Sequence, residues 1–327
     1  MKKLIAIVFT LALFTGCENE PLDSDFSILN NPNIPTDPND PTDPNDPTDP
    51  GSGSTDLALS VYELDTDISF TFFGVPIQTI TNSDITITNN IITSSNILLT
   101  VAGSPPATEN QTITRNGLGQ IISDISTTPS GTVTNEYYVT YSGNDISQIT
   151  YNYYDLEDPT FDEEYIYNFI FSGNEITRTE VGSTIETVFT LDNSGRLIKK
   201  ESFDSSISIQ AEELTYNSDG NVSNSVLSGE NNSTISFGYD TFNNPLKVVY
   251  DEQYLLSFLS DEYDDEVGSP IAQFHATKNW SSTTIDGDTY NFILQYDAGN
   301  RISTRDISYS FDGGFSFVIN ERFNYVN

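Results

Sequence analysis

Apolar and polar residues alternate along most of the chain after residue 56. The clearest apolar rows are Tyr165, Tyr167, Phe169 and Phe171, and, further on, Phe315, Phe317 and Ile319. A period of two places every second side chain on the same face of a β-strand. The pattern therefore predicts an all-β fold in which the aromatic rows pack in a core, with a ligand-binding surface as the alternative role for those rows.

Short polar turns separate these strands at regular intervals. The fullest copy is Tyr296-Asp297-Ala298-Gly299-Asn300-Arg301-Ile302, an aromatic strand end followed by a tight turn and an aliphatic strand start. Glycine or asparagine supplies the positive φ that such a hairpin turn needs, and Asp, Asn or Ser caps it. The aligned turn positions, 22 to 31 residues apart, are Gly119, Gly143, Gly173, Gly195, Gly220, Asn243, Gly268 and Gly299.

Repeated antiparallel hairpins of this kind predict one large, twisted or curled meander sheet. We place it in a single all-β domain over residues 56–327, with opening strands in 56–112 and hairpin repeats in 113–327. Whether the sheet is open or closed into a barrel is left undecided. The stretch 250–259 fits a helical face or a buried strand, and its place within the repeat spacing favours a strand.

The amino terminus has the layout of a bacterial lipoprotein signal. Lys2 and Lys3 precede an apolar run from Leu4 to Phe14, and the small pair Thr15-Gly16 stands before Cys17. Residues 1–16 are predicted to be the cleaved signal peptide, and Cys17 to carry the lipid. The competing hypotheses, an ordinary cleaved signal or a transmembrane anchor, fit less well because the apolar run is short of the ~20 residues needed to span a bilayer.

Residues 17–55 are predicted to form a disordered tether. From Pro35 to Pro50 a proline stands at every third residue among aspartates, and Gly51-Ser52-Gly53-Ser54 follows. This composition forbids a helix and favours an extended chain of ~3.1 Å per residue. The tether would hold the folded domain clear of the membrane.

Charge and cysteine content narrow the classes of function. The formal charge of −36 disfavours nucleic acid and anionic lipid as partners, since both bind clustered lysine and arginine. With Cys17 as the one cysteine, no intramolecular disulfide can form, and with His275 as the one histidine, neither a His-dependent triad nor a multi-histidine zinc site can be built.

Carboxylates are the remaining candidates for chemistry. One acidic group, in a predicted long turn, comprises Asp155, Glu157, Asp158, Asp162, Glu163 and Glu164. The second group, which we regard as the calcium candidates, comprises Asp261, Glu262, Asp264, Asp265 and Glu266. Solvated turns are the main interpretation, with a glycosidase pair as an alternative. His275 near Trp280 is interpreted as structural, with a sugar-binding or acid–base role as its alternative.

The Tyr-Asp turn with its Gly-Asn pair, and shorter copies such as Tyr141-Ser142-Gly143-Asn144, resemble the YD-repeat, or Rhs-type, motif over residues 113–327. With a lipidated amino terminus, the chain is similar to the repeat lipoproteins of unknown function found in Bacteroidota. The stretch Tyr263-Asp264-Asp265 also resembles a turn of those lipoproteins. The resemblance implies architecture and location, and no activity.

These observations together predict an exported outer-membrane lipoprotein, with exposure on the cell surface as an option. Its partners would be the membrane, through the lipid on Cys17, and a glycan or envelope protein, but no nucleic acid. We expect a non-catalytic binding or adhesion module without a cofactor. The alternatives are a structural envelope protein with no specific ligand and, third, a carboxylate-based glycoside hydrolase.

Overall fold

The computed structural model of the protein describes residues 57–72, 75–311 and 314–326. The predicted signal peptide, Cys17 and the predicted tether lie outside these residues.

Nineteen β-strands account for most of the described chain. In chain order they are β1 (Leu59–Phe72), β2 (Val75–Thr88), β3 (Ile91–Val101), β4 (Ala107–Arg115), β5 (Ile121–Thr127), β6 (Val133–Ser142), β7 (Asp145–Tyr153), β8 (Glu163–Ser172), β9 (Glu175–Glu180), β10 (Ile185–Leu191), β11 (Leu197–Asp204), β12 (Ile207–Tyr216), β13 (Val222–Gly229), β14 (Ser233–Asn243), β15 (Lys278–Ile285), β16 (Asp288–Asn291), β17 (Ile293–Tyr296), β18 (Ile302–Phe311) and β19 (Phe315–Tyr325).

The sheet has the shape of a barrel. Strands pair antiparallel with their neighbours in the chain, and β1 pairs with β19 as well as β2, from Leu59 opposite Tyr325 onward. One strand is broken at Phe292, so that β16 pairs with β15 while β17 pairs with β18. The predicted all-β meander of hairpins is confirmed, and it is barrel-shaped rather than open.

The alternating pattern sorts side chains between the inside and the outside of this barrel. On β8, Tyr167 and Phe169 are buried inside the barrel, whereas Ile170, the residue after Phe169, is exposed. On β1, Tyr62 and Leu64 point inward, so Glu63 and Asp65, which alternate with them along the strand, lie on the outer face. The outer face is mainly polar, as Asn110, Thr112 and Thr114 on β4 also illustrate.

Antiparallel strands place alternate turns on opposite rims. We call the edge where β1 begins and β19 ends the tether rim, and the opposite edge the distal rim. Tether-rim turns are 89–90, 116–120, 143–144, 173–174, 192–196, 217–221 and 297–301. Distal-rim connections include 102–106, 128–132, 154–162, 181–184, 205–206, 230–232 and 286–287. Six of the eight predicted repeat positions therefore lie on the tether rim.

Four of these tether-rim turns have the same hydrogen bonds. The side-chain oxygens of Asn116, Asp192, Asn217 and Asp297 each accept from the backbone N–H groups two and four residues further on, at 2.8–3.1 Å. The residue three positions after each of them has a positive φ, as predicted for Gly119, Gly195 and Gly220. In the fourth turn Asn300, at φ 59°, takes this conformation, and Gly299 does not.

Tyrosines near the strand ends link each repeat to the one before it. The hydroxyls of Tyr141, Tyr216, Tyr239 and Tyr325 donate to the carbonyl oxygens of Ile121, Leu197, Val222 and Ile302, respectively, at 2.6–2.9 Å. Each acceptor is the aliphatic residue that follows the preceding turn. The aromatic and aliphatic positions of the repeat thus form a hydrogen-bonded contact between neighbouring hairpins.

Three sequence-based assignments were wrong. Asn243 ends β14 and pairs with Lys278 across an insertion of residues 244–277, instead of forming a tight turn. Gly268 lies buried within that insertion. The stretch 250–259 is not a strand but a series of short helical turns, Pro245–Tyr250, Asp251–Gln253 and Leu256–Leu259, because its apolar residues are buried inside the barrel rather than paired in the sheet.

Candidate functional site

The insertion of residues 244–277, which we call the plug, fills part of the barrel interior. It takes the place of the hairpin turn between β14 and β15. Asn244 ties its two ends together: Oδ1 accepts from the N–H of Leu246, and Nδ2 donates to the carbonyls of Gln273 (3.0 Å) and Ala276 (3.1 Å). The plug therefore begins and ends at the same point on the tether rim.

Apolar contacts hold the plug against the inner wall. Phe258 packs on Phe189 of β10 with ring centroids 5.6 Å apart, and both rings are fully buried. The other buried apolar residues of the plug are Leu246, Val249, Tyr250, Leu256, Leu259, Val267, Ile271, Ala272, Phe274 and Ala276. Buried apolar area of this extent is the main stabilising contribution to the seating of the plug.

A wall carboxylate binds the start of one helical turn in the plug. Glu212 of β12 accepts from the backbone N–H of Val267 (2.7 Å) and of Gly268 (3.0 Å), and from the hydroxyl of Ser225 (2.6 Å). Glu266 of the plug lies beside it and accepts from the N–H of Ser269 at 2.8 Å. Burial raises the pKa of both carboxyls, and in Glu266 the neighbouring Glu212 raises it further. The pair therefore holds a proton more strongly than free carboxyls do.

Two wall cations bind backbone carbonyls at the tip of the plug. Lys200 of β11 donates to the carbonyls of Glu262 (2.7 Å) and Asp265 (2.8 Å). Arg178 of β9 donates to the carbonyls of Leu259 (3.0 Å) and Asp261. Burial lowers the pKa of both cations, and nearby acids partly offset this.

The calcium candidates lie at this tip. Asp265 Oδ2 accepts from the N–H of Glu262, and Asp264 Oδ2 accepts from the side chain of Asn231 on the distal rim. Burial raises the pKa of Asp261 to about 7. In residues 57–72, 75–311 and 314–326, no group of three or more His, Cys, Asp or Glu side chains is arranged to hold a metal ion. Calcium binding stays a prediction. The carbonyl oxygens of this turn accept hydrogen bonds from the buried cations of the wall.

A second charged group joins the wall to the plug near the tether rim. Arg305 of β18 and Glu321 of β19 form a fully buried bidentate ion pair, with Nη2 to Oε1 at 2.7 Å. Glu321 also accepts from the hydroxyl of Tyr62 and from Gln273 of the plug at 3.1 Å. Every partner in this group is buried, so it has the features of a structural clamp.

A third buried polar group lies on the wall between β3 and β6. Gln111 accepts from the hydroxyl of Ser95 and donates to Asp124 Oδ2 at 2.9 Å. Burial raises the pKa of Asp124 well above its ordinary value and that of Glu109 to about 7. These carboxyls therefore retain their protons to higher pH than exposed carboxyls do.

The two residues interpreted as structural lie in the interior. His275 is buried in the plug, 3.1 Å from Ser257 Oγ, and burial lowers its pKa to about 3. Trp280 is fully buried and donates from Nε1 to the carbonyl of Ser282 at 2.9 Å. Neither side chain is exposed for contact with a sugar in solution.

The other acidic group lies on the distal rim, where four of its members are in the connection 154–162. Contrary to the prediction, Glu163 and Glu164 are not in this turn but begin β8. Asp155 Oδ1 accepts from the N–H groups of Glu157 (2.9 Å) and Asp158 (3.0 Å), and Asp162 Oδ1 accepts from that of Asp155 (2.9 Å). These carboxylates shape an exposed loop. Their position about one short 3₁₀ turn, Pro159–Phe161, agrees with the predicted long turn.

The sequence reasoning missed Arg178, Lys200, Glu212 and the Arg305–Glu321 pair. One signal was available for Arg178, Arg305 and Glu321: each occupies a strand position that the period of two assigns to the apolar face. A charged residue there predicts a buried partner from elsewhere in the chain.

No helix in the described parts of the chain is long and apolar enough to cross a membrane.

Comparisons with known proteins bear on the fold alone. No protein-family model matches the sequence, and no curated protein matches it. Among solved structures, a porin-like protein from Bacteroides uniformis ATCC 8492 is 8% identical, with 82% of this chain and 98% of that chain covered and a TM-score of 0.42. A porin-like protein from Bacteroides vulgatus ATCC 8482 is 10% identical, with the same coverage and a TM-score of 0.17.

A third similar structure is TcdB2-TccC3-TEV, at 11% identity and a TM-score of 0.28. The match covers 75% of this chain and 15% of that one. At such TM-scores these similarities support no statement about the activity of this chain.

Proposed function

We propose that this protein is an exported, lipid-anchored protein of the outer membrane or cell surface whose plugged barrel is a non-catalytic binding or adhesion module. The observation that carries the proposal is the plug: wall side chains from β9, β11, β12 and β19 bind it inside the barrel. Partners would then meet the outer face and the rims rather than the interior.

The polar outer face supports a barrel that stands in water on its tether. Barrels embedded through their outer face carry an apolar band about 25 Å tall. Here the outward positions of β1 include Glu63, Asp65 and Asp67, and those of β4 are Asn and Thr. A lipid on Cys17 would supply the membrane attachment instead.

The exposed side chains favour a protein over a glycan as partner. Sugar sites commonly use exposed aromatic rings, and Tyr138 and Phe161 are the only aromatic residues in the described part of the chain that are more than about a third exposed. The same burial of aromatic rows also favours the second candidate, a structural envelope protein with no specific ligand.

A glycoside hydrolase receives less support. Its two carboxyls would have to face a sugar across an open cleft. Carboxyls whose pKa is raised by burial, such as Glu212 and Glu266, instead face each other and the plug backbone in the core. We therefore retain the non-catalytic proposal.

Removal of the lipidation residue tests the anchor. A Cys17→Ser variant is expected to leave the membrane fraction, or to accumulate unprocessed, while the wild type stays with outer membranes and incorporates labelled fatty acid. Protease treatment of intact cells then tests surface exposure. Protection of the barrel while known surface proteins are digested would place the barrel on the inner side of the outer membrane.

Ligand-dependent stability tests the binding role. The detergent-solubilised full chain is heated with and without calcium, a polysaccharide panel and envelope protein fractions, because a ligand of the native state raises the midpoint by mass action. A reproducible rise with a glycan or protein supports a binding module. No rise with any of them would favour the structural candidate.

A further inference from the structure

Three neighbouring hairpins expose aliphatic side chains on the distal rim. Leu156 is 56% exposed in the β7–β8 connection, Val181 is 62% exposed in β9–β10, and Ile207 is 70% exposed at the start of β12. We call residues 154–164, 179–186 and 203–208, which contain these three side chains, the distal sector.

The tether-rim turns that follow or precede these strands contain no aliphatic residues. Tether-rim turns 143–144, 173–174, 192–196 and 217–221 consist of Gly, Asn, Asp, Ser and one Arg. Tight turns in this barrel therefore form without aliphatic residues. The three exposed aliphatic side chains of the distal sector therefore have no role in turn formation that would explain them, and such patches are typical of interaction sites.

The distal sector is also strongly acidic. It contains nine acidic residues and neither lysine nor arginine: Asp155, Glu157, Asp158, Asp162, Glu163, Glu164, Glu180, Glu186 and Asp204. The exposed plug residue Glu262 lies close to these acids: burial and Asp265 raise its pKa, and Glu180 raises it further. A partner with positive charge would be attracted to the sector, and a polyanion would be repelled.

The three hairpin tips form one connected surface. The hydroxyl of Thr184 donates to Asp204 at 2.8 Å, which joins the β9–β10 and β11–β12 tips. The N–H of Val181 donates to the carbonyl of Ile166 at 2.9 Å, which joins the β9–β10 tip to β8. Because Tyr167 pairs with Glu180, β8 extends four residues past the end of β9. The β7–β8 connection therefore projects further from the barrel than the neighbouring β9–β10 tip does.

We propose that the distal sector docks a cationic polypeptide segment that carries aliphatic side chains. Lysine or arginine would pair with the acidic residues while aliphatic groups cover Leu156, Val181 and Ile207. A second copy of this chain, with a formal charge of −36, would be repelled by the acidic sector. The chain enters the barrel at the opposite rim, so a tethered barrel would present this sector away from its anchor. This inference rests on the proposed binding role and names its partner class.

A defined peptide tests the inference. The detergent-solubilised full chain is titrated with a fluorescent peptide of alternating lysine and leucine, and with a lysine–glycine peptide of equal charge. We expect the lysine–leucine peptide to bind more tightly. The double variant Val181→Ser/Ile207→Ser should weaken that binding about tenfold, with little effect on the lysine–glycine peptide.

Leu118→Ser is the matched control, since Leu118 is equally exposed but lies on the tether rim. It should leave binding unchanged, and both variants should keep the wild-type unfolding midpoint. Equal binding of the two peptides, or equal effects of the two variants, would overturn the proposal that the distal sector docks such a segment. If thermal unfolding still responds to another ligand in that case, the binding module survives and only this site fails.

Discussion

At the residue scale, buried charge makes the stability of the barrel sensitive to single substitutions. Arg305 and Glu321 occupy facing positions on β18 and β19 and have no exposed side-chain area. Breaking such a pair leaves one buried charge without its partner, which costs more than the pair itself contributes. The same argument applies to Lys200 and Glu212, whose partners are backbone groups of the plug.

We expect Arg305→Met to lower the free energy of unfolding by about 3–5 kcal/mol, because Glu321 is then buried without its cation. The double variant Arg305→Met/Glu321→Met should recover most of this loss. Urea unfolding of the two variants and the wild type measures the difference. A double variant as unstable as the single one would show that the pair contributes net stability.

Glu109 should make stability fall as pH rises. Its carboxyl has a folded pKa of about 7 against an ordinary value of 4.5, with burial as the main cause. The folded state thus binds more protons between these values, so the stabilising effect is complete below about pH 4.5 and is lost by about pH 7. Glu109→Gln should remove on the order of 3 kcal/mol of the difference in stability between pH 5 and pH 8.

Denaturant unfolding at both pH values measures this effect, with Glu157→Gln on the exposed loop as the control. The variant should be more stable than the wild type at pH 8. An unchanged pH dependence in Glu109→Gln would contradict the assignment.

At the element scale, the turn repeat was predictable because its chemistry is local. The capping Asp or Asn and the left-handed residue lie within three positions of each other, so the sequence alone indicates Gly119, Gly195 and Gly220. The plug could not be predicted in the same way. Its helical turns are three to six residues long, and the side chains that hold it, such as Arg178 and Glu212, come from distant strands.

The turn at residues 116–120 offers a test with an internal control. Gly119 has φ +86°, whereas Gly117 has no positive φ, and both have open space where a Cβ would be placed. Gly119→Ala should therefore cost about 1 kcal/mol and Gly117→Ala almost nothing. Equal effects on the unfolding midpoint would argue against this turn geometry.

Gly268 tests the contact between plug and wall. A Cβ there would lie 2.7 Å from Glu266 Oε1, 3.0 Å from Ser225 Cβ and 3.1 Å from Phe237 Cζ. We expect Gly268→Ala to destabilise the protein by about 1–3 kcal/mol through overpacking. Calorimetry would measure this, and a midpoint equal to that of the wild type would place Gly268 outside the core.

At the scale of the whole molecule, strand content followed from the alternating pattern, but closure did not. Closure depends on β1 pairing with β19, from Leu59 to Tyr325, and both strands have the same alternation as their neighbours. Nothing local distinguishes a strand that closes a barrel from one at an open edge. The position of the plug could not be predicted either, because the 25-residue spacing between Asn243 and Gly268 matched that of the repeat.

The central claim is that residues 244–277 are seated inside the barrel, and cysteine labelling tests it most directly. Cys17 is the one cysteine, and with the acylation that we propose for it the wild type would offer no free thiol. Ser257→Cys in the plug and Ile207→Cys on the distal rim can then be compared by maleimide labelling of the native protein. We predict rapid labelling at position 207 and labelling at least about a hundredfold slower at 257 until the protein is unfolded. Equal rates at the two positions in the native protein would contradict the plugged barrel.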